Sequence, residues 1–135
     1  MYTSWGRLRY DPRMPRQKVV EPNWLILDCD PAIGFYYSWL LFKHHCVKLR
    51  RPAWKCHVSV IRSEGISCPD KWGHDDGRKI KFEYDPVIKT NGRHYWLSVH
   101  SEELLDVRAF YGLDRKTWPP LHLTLGNDEL KGGDQ

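Results

Sequence analysis

The chain has 135 residues, 41% of them hydrophobic and 13% aromatic, which suits one domain able to bury a core and excludes wholesale disorder. No run approaches the roughly 18–20 continuous apolar residues of a membrane span, and the N-terminal MYTSWGRLRYDPRMPRQ lacks the apolar stretch of a signal peptide, so no membrane contact and a cytoplasmic location are expected. The net charge of +4 is uneven: residues 1–60 carry 10 Lys/Arg against 4 Asp/Glu and residues 61–135 carry 11 against 13, an N-terminal basic excess that favours anionic partners such as phosphorylated small molecules or nucleic acid.

In chain order, residues 1–20 are rich in Arg and Pro with weak periodicity and are expected to be an irregular basic arm of a single domain spanning 1–135. NWLILDCD then gives a short strand ending near Asp30. DPAIGFYYSWLLFKHH has Asp30 to cap a helix and Pro31 for its first position, and its dense apolar side chains predict a buried helix. WKCHVSVIR alternates as a strand, with His57, Ser59 and Ile61 on one face and Val58 and Val60 on the other. Residues 63–77 read as loop.

In RKIKFEYDPVIKTNGRHYWLSVH, Asn91 and Gly92 predict a tight hairpin in which both take positive φ. SEELLDVRAFYGL begins with Ser101 as N-cap and stops at Gly112, a helix with both end signals. LHLTLGN closes the sequence as a strand with His122 and Thr124 on one face. The class is therefore α+β, each half holding one helix and one strand of the pattern His-apolar-Ser/Thr-apolar.

That pattern, HVSV at 57–60 and HLTL at 122–125, carries the chemistry. Positions i and i+2 of a strand share a face, so each motif presents an imidazole beside a hydroxyl. If the two strands are neighbours, four polar groups meet in one cleft. A neutral histidine can take a proton from an attacking hydroxyl, a protonated one can give a proton to the leaving oxygen, and two hydroxyls can donate to phosphate oxygens. The repeat extends to a Glu seven residues after each histidine, Glu64 and Glu129, to which no role is assigned. A lone histidine on a strand is more often a surface or satisfied core residue; two matching copies, one per half, favour function.

Two H-x-[ST]-x motifs resemble those of the 2H phosphoesterase superfamily, the 2′,5′ RNA ligase-like proteins. The resemblance implies two pseudo-symmetric lobes of antiparallel strands, each with a helix, facing each other across a central groove. It implies His57 and His122 as acid and base, unassigned between them, Ser59 and Thr124 as phosphate ligands, and no cofactor. Residues 24–128 further look like the small phage members that include anti-CBASS nucleases. That narrower likeness implies a substrate of cyclic di- or trinucleotide immune signals such as cGAMP, evasion of host defence, and the host-cell cytoplasm as location.

Other readings stand beside it: an activity on RNA ends, short RNA, 2′,5′ oligonucleotides or 2′,3′-cyclic phosphates, a module that binds nucleotides without cutting them, or a structural protein whose histidines are incidental. Among the aromatics, Tyr10 and Trp72 lie in polar segments and are the candidates for stacking on bases; Arg62, directly after the first motif strand, can reach a phosphate or pair with Glu64. His44, His45 and Cys46 with Cys56 and His57 raise a zinc site, which their spacing does not support, so no metal is expected. His74, His94 and His100 read as surface or loop residues, and the four cysteines, with no CxxC spacing, as reduced thiols.

Overall fold

The computed structural model describes residues 1–13, 23–52 and 54–130. Strand β1 (Tyr2–Tyr10) is followed by β2 (Leu25–Cys29), helix α1 (Pro31–His45), the two-residue β3 (Leu49–Arg50) and β4 (His57–Ile61). Next come a 3-10 turn at Pro69–Lys71, β5 (Lys79–Tyr84), the two-residue β6 (Lys89–Thr90), β7 (His94–His100), α2 (Glu102–Phe110) and β8 (His122–Asp128). The fold is α+β. All pairings are antiparallel, and since β8 bonds to both β4 and β7, the order β8-β4-β2-β1-β5-β7 closes on itself as a six-stranded ring. The short strands β3 and β6 extend β8 and β7 at their ends.

Registers decide which side chains meet. Leu8 faces Leu27, Leu27 faces Val58, Val58 faces Leu123 and Leu123 faces Leu97, so one continuous row of buried apolar side chains crosses five strands. Each such side chain contributes about 1.5–3 kcal/mol on burial. Because neighbouring positions point the opposite way, the row beside it lies on the other face: Asp28 with His57 on one flank, Thr124 with Trp96 on the other.

The helices begin where the sequence signals them. Asp30 Oδ1 accepts from the N–H of Ala32 at 2.9 Å with Pro31 at the first helical position, and Ser101 Oγ accepts from the N–H of Leu104 at 3.3 Å. Helix α1 is not buried, however: only Ile33, Tyr37 and Leu41 form its inward stripe, while Phe35, Tyr36, Trp39 and Phe42 are about half exposed on the other side. Apolar density set the expectation of burial, but one stripe at i, i+4, i+8 is all that a helix laid against a sheet can cover.

Residues 2–10 of the expected irregular arm form β1, a strand hydrogen-bonded on both sides, to β2 and to β5. Its inward positions include Ser4, Gly6 and Leu8, so the buried face carries little hydrophobic signal, and the exposed face carries Trp5, Arg7 and Arg9. Gly6 is required by proximity: a Cβ there would stand 2.5 Å from the carbonyl oxygen of Asp28. The rest of the predicted arm, residues 14–20, lies outside the described residues.

The hairpin after β6 also differs. Thr90 pairs with Tyr95 and the N–H of Asn91 donates to the carbonyl of His94, which makes Gly92 and Arg93 the central pair; Gly92 has φ +93 and Asn91 is not positive. Asn91 Oδ1 instead accepts from the N–H groups of Arg93 and His94. The side-chain bonds of asparagine thus place it before the turn, with glycine at the first central position.

Candidate active site

Both motif histidines open their strands, and the antiparallel register that sets Val58 opposite Leu123 brings His57 across from Thr124 and Ser59 across from His122. Directly opposed Cβ atoms in such a ladder are roughly 4.5–5.5 Å apart and diagonal ones about 7–8 Å. His57 and His122 are one diagonal of this square, Ser59 and Thr124 the other. All four are half-buried and line one cleft of about 630 Å³.

The two rings are held in the same manner. His57 Nδ1 lies 2.6 Å from the carbonyl of Lys55 and His122 Nδ1 lies 2.8 Å from the carbonyl of Pro120, in each case two residues before the histidine. A carbonyl can only accept, so each Nδ1 carries a proton and each Nε2 keeps its lone pair when the ring is neutral. Trp24 stands edge-on to His57 and Trp96 edge-on to His122, with ring centroids at 6.2 and 6.5 Å.

Burial pushes the His57 pKa below the ordinary imidazole value and the nearby Arg62 charge adds to this, against the raising effects of the Lys55 carbonyl and Asp28. These influences favour the neutral form of His57. Ser59 Oγ accepts from Trp24 Nε1 at 3.3 Å, so its own hydroxyl proton remains available for an acceptor in the cleft.

Arg62 lines the same cleft with its guanidinium 4.4 Å from the centre of the Trp24 ring. Glu64 lines it too, held by Arg108 of α2, which grips both its oxygens at 2.8 Å and also donates to the carbonyls of Val60 at 2.8 Å and Asp114 at 2.9 Å. This clamp ties α2 to the end of the first motif strand and holds the Glu64 carboxyl below its usual range. Glu129 makes no matching arrangement; its N–H donates to the carbonyl of Lys48.

Tyr10 and Trp72 are brought to each other and not to the lining of the cleft. Their rings meet edge-on at 4.8 Å, Tyr10 Oη is 2.9 Å from Tyr111 Oη, and Trp72 Nε1 donates to Asp11 at 2.8 Å. Burial raises the pKa of both tyrosines. The aromatic walls of the cleft are instead Trp24, Trp54 and Trp118. Trp54 is fixed by its Nε1 bond of 2.8 Å to Asp28, and Trp118 is 90% exposed at the rim.

Against family models, curated proteins and solved structures the chain finds no match. What the site can do rests on its own geometry.

Trp24, Trp118 and Arg108 were not among the predicted site residues. Trp24 directly precedes β2, whose register against β4 sets the indole beside Ser59, and no local pattern announces that pairing. For Trp118 a cue existed: it stands in TWPP immediately upstream of the second motif. Arg108 reads as an ordinary helical cation until the packing of α2 buries it to 4% exposure. Among the described residues no group of three or more His, Cys, Asp or Glu could hold a metal ion, and all four cysteines are free thiols. No helix among the described residues is long and apolar enough to cross a membrane.

Proposed function

We propose that this protein is a phosphodiesterase of the 2H type acting on nucleotides, with His57 as general base and His122 as general acid. The observation that carries the reading is the square of His57, Ser59, His122 and Thr124 on two adjacent strands, with both Nδ1 atoms bound to main-chain carbonyls and both Nε2 atoms left for proton transfer. His57 takes the base role because burial and Arg62 favour its neutral form.

The step balances without a further reagent. His57 Nε2 removes the proton of a substrate 2′-hydroxyl, the freed oxygen bonds to the adjacent phosphorus, the bond to the 5′ oxygen breaks, and His122 gives that oxygen a proton. The product carries a 2′,3′-cyclic phosphate. Ser59 and Thr124 donate to the non-bridging oxygens, where negative charge grows, and Arg62 adds a cation beside them. Both proton transfers come from side chains, so the reaction as written calls for no metal or cofactor.

The finer idea of two equivalent halves is supported by three shared details. Each motif opens a strand, each histidine bonds the carbonyl two residues upstream, and each strand has a bulge at the fourth motif residue. Val60 lies between the pairs Ile26–Ser59 and Leu25–Ile61, and Leu125 between Trp96–Thr124 and Tyr95–Gly126. A cyclic di- or trinucleotide signal, with evasion of host defence as its purpose, remains the favoured substrate class on the sequence resemblance alone.

The test is product formation from cyclic dinucleotides, short RNA and 2′,3′-cyclic nucleotides in excess EDTA. His57→Ala or His122→Ala should each lower kcat by about 10²–10⁴-fold with unchanged circular dichroism, and 2′-deoxy analogues should resist cleavage. Full activity in either variant would overturn the mechanism. Tight binding without product from any nucleotide would instead mark the cleft as a capture site.

A further inference from the structure

The cleft that holds the histidines adjoins a second one of about 570 Å³, and the two share one wall formed by residues 118–122 and Thr124. From the four-residue square, the first cleft runs over β4 toward Trp24, Trp54 and Arg62. The second runs the other way, across β8 onto β7 and β6, where Trp96 faces Thr124, Ser98 faces His122 and Lys89 faces Trp96.

We infer that this second cleft, lined by Lys89, Asn91, Tyr95 and Trp96, is a binding subsite for the nucleoside on the far side of the scissile phosphate. The inference rests on the proposed phosphodiesterase reading and deepens it: the substrate class is a phosphodiester joining two nucleosides, not a mononucleotide cyclic phosphate.

The geometry carries this in three steps. A phosphorus atom placed between His57 and His122 sits at the wall common to both clefts, so one substituent of a diester enters each. The second cleft falls in the range of volumes typical of ligand sites. Its chemistry also suits a nucleoside. Trp96, on the same face as Thr124, is a partly exposed ring, and stacking on such a ring is worth roughly 1–3 kcal/mol per base, while Tyr95 packs its ring against the core beneath.

Lys89 and Asn91 supply donors there. Lys89 Nζ is steadied by Ser98 Oγ at 2.7 Å and Asp85 at 3.3 Å, and it keeps capacity for a third bond. Asn91 spends its oxygen on the N–H groups of Arg93 and His94, which leaves its amide nitrogen to donate outward. Carbonyl and ring-nitrogen acceptors of a base, or ribose oxygens, meet those donors. A 2′,3′-cyclic mononucleotide would fill only the first cleft.

The test compares the linear dinucleotide GpG with 2′,3′-cyclic GMP on the full chain and on the double variant Lys89→Ala/Asn91→Ala, both positions lying in the exposed hairpin around β6. The expected result is that kcat/KM for GpG exceeds that for 2′,3′-cyclic GMP in the parent, and that the ratio of the two falls at least tenfold in the double variant. An unmoved ratio overturns the subsite while leaving the phosphodiesterase reading intact. If no nucleotide is turned over, that reading fails separately, and calorimetry still decides the subsite: GpG must bind the parent at least tenfold more tightly than the double variant, whereas equal affinities sink it.

Discussion

Two imidazoles that share a tautomer differ in their surroundings, and the difference is measurable at His57. As the proposed base, His57 must be neutral to act, and its neutral fraction falls as pH drops through its pKa. Because burial and Arg62 hold the His57 pKa below the ordinary imidazole value, the acid limb of a pH profile of kcat/KM should have its midpoint below about 6.5. Arg62→Ala removes one lowering influence and should move that midpoint upward, toward the unperturbed value. A limb that stays in place when Arg62 is lost would remove the arginine from the electrostatics of the base. That the two histidines and two hydroxyls come together was legible in the sequence, because the proposed chemistry needs four side chains at a two-residue period. The tautomers were not, since the carbonyls that set them belong to Lys55 and Pro120 and depend on how the chain approaches each strand.

Among the elements, α2 is tied to the end of the first motif strand by the buried side chain of Arg108. Arg108 is buried and satisfies Glu64 and two main-chain carbonyls, so Arg108→Met leaves the Val60 and Asp114 carbonyls without that donor and releases Glu64. Glu64 is partly exposed and regains water, so the loss falls below the roughly 3–5 kcal/mol typical of breaking a fully buried pair, yet it remains measurable. Urea unfolding should show a lower midpoint with an unchanged slope, and a midpoint within error of the parent would mean the clamp is dispensable. Helix ends, by contrast, were readable from Asp30, Pro31 and Ser101, because capping is a local contest between a side chain and the first free N–H groups. β1 escaped detection for the converse reason. Ser4 and Gly6 occupy inward positions where Gly6 must be small to admit the Asp28 carbonyl, and a strand whose buried face is small residues has no hydrophobic alternation to see. Tyr10 and Trp72 stand in polar sequence, yet they pack on Tyr111 from α2's C-cap, a partner about a hundred residues from Tyr10 that no window along the chain contains.

At the scale of the molecule, the six strands form a loop with no spare member. β1 is bonded on both sides, so deleting residues 1–10 opens the ring between β2 and β5 and unpairs both neighbours. The shortened protein should lose its cooperative thermal transition, whereas a dispensable arm would leave that transition in place. The closing bond of the ring has a further consequence. β4 and β8, which supply the two halves of the square of His57, Ser59, His122 and Thr124, are neighbours in space but 65 residues apart from His57 to His122. Contacts of such long sequence separation are the slow ones to form, since chain entropy is lost before they repay it. On the proposed mechanism, a nascent polypeptide holding only the first motif would be chemically silent, and in refolding the return of turnover would mark the moment when β4 and β8 have found each other.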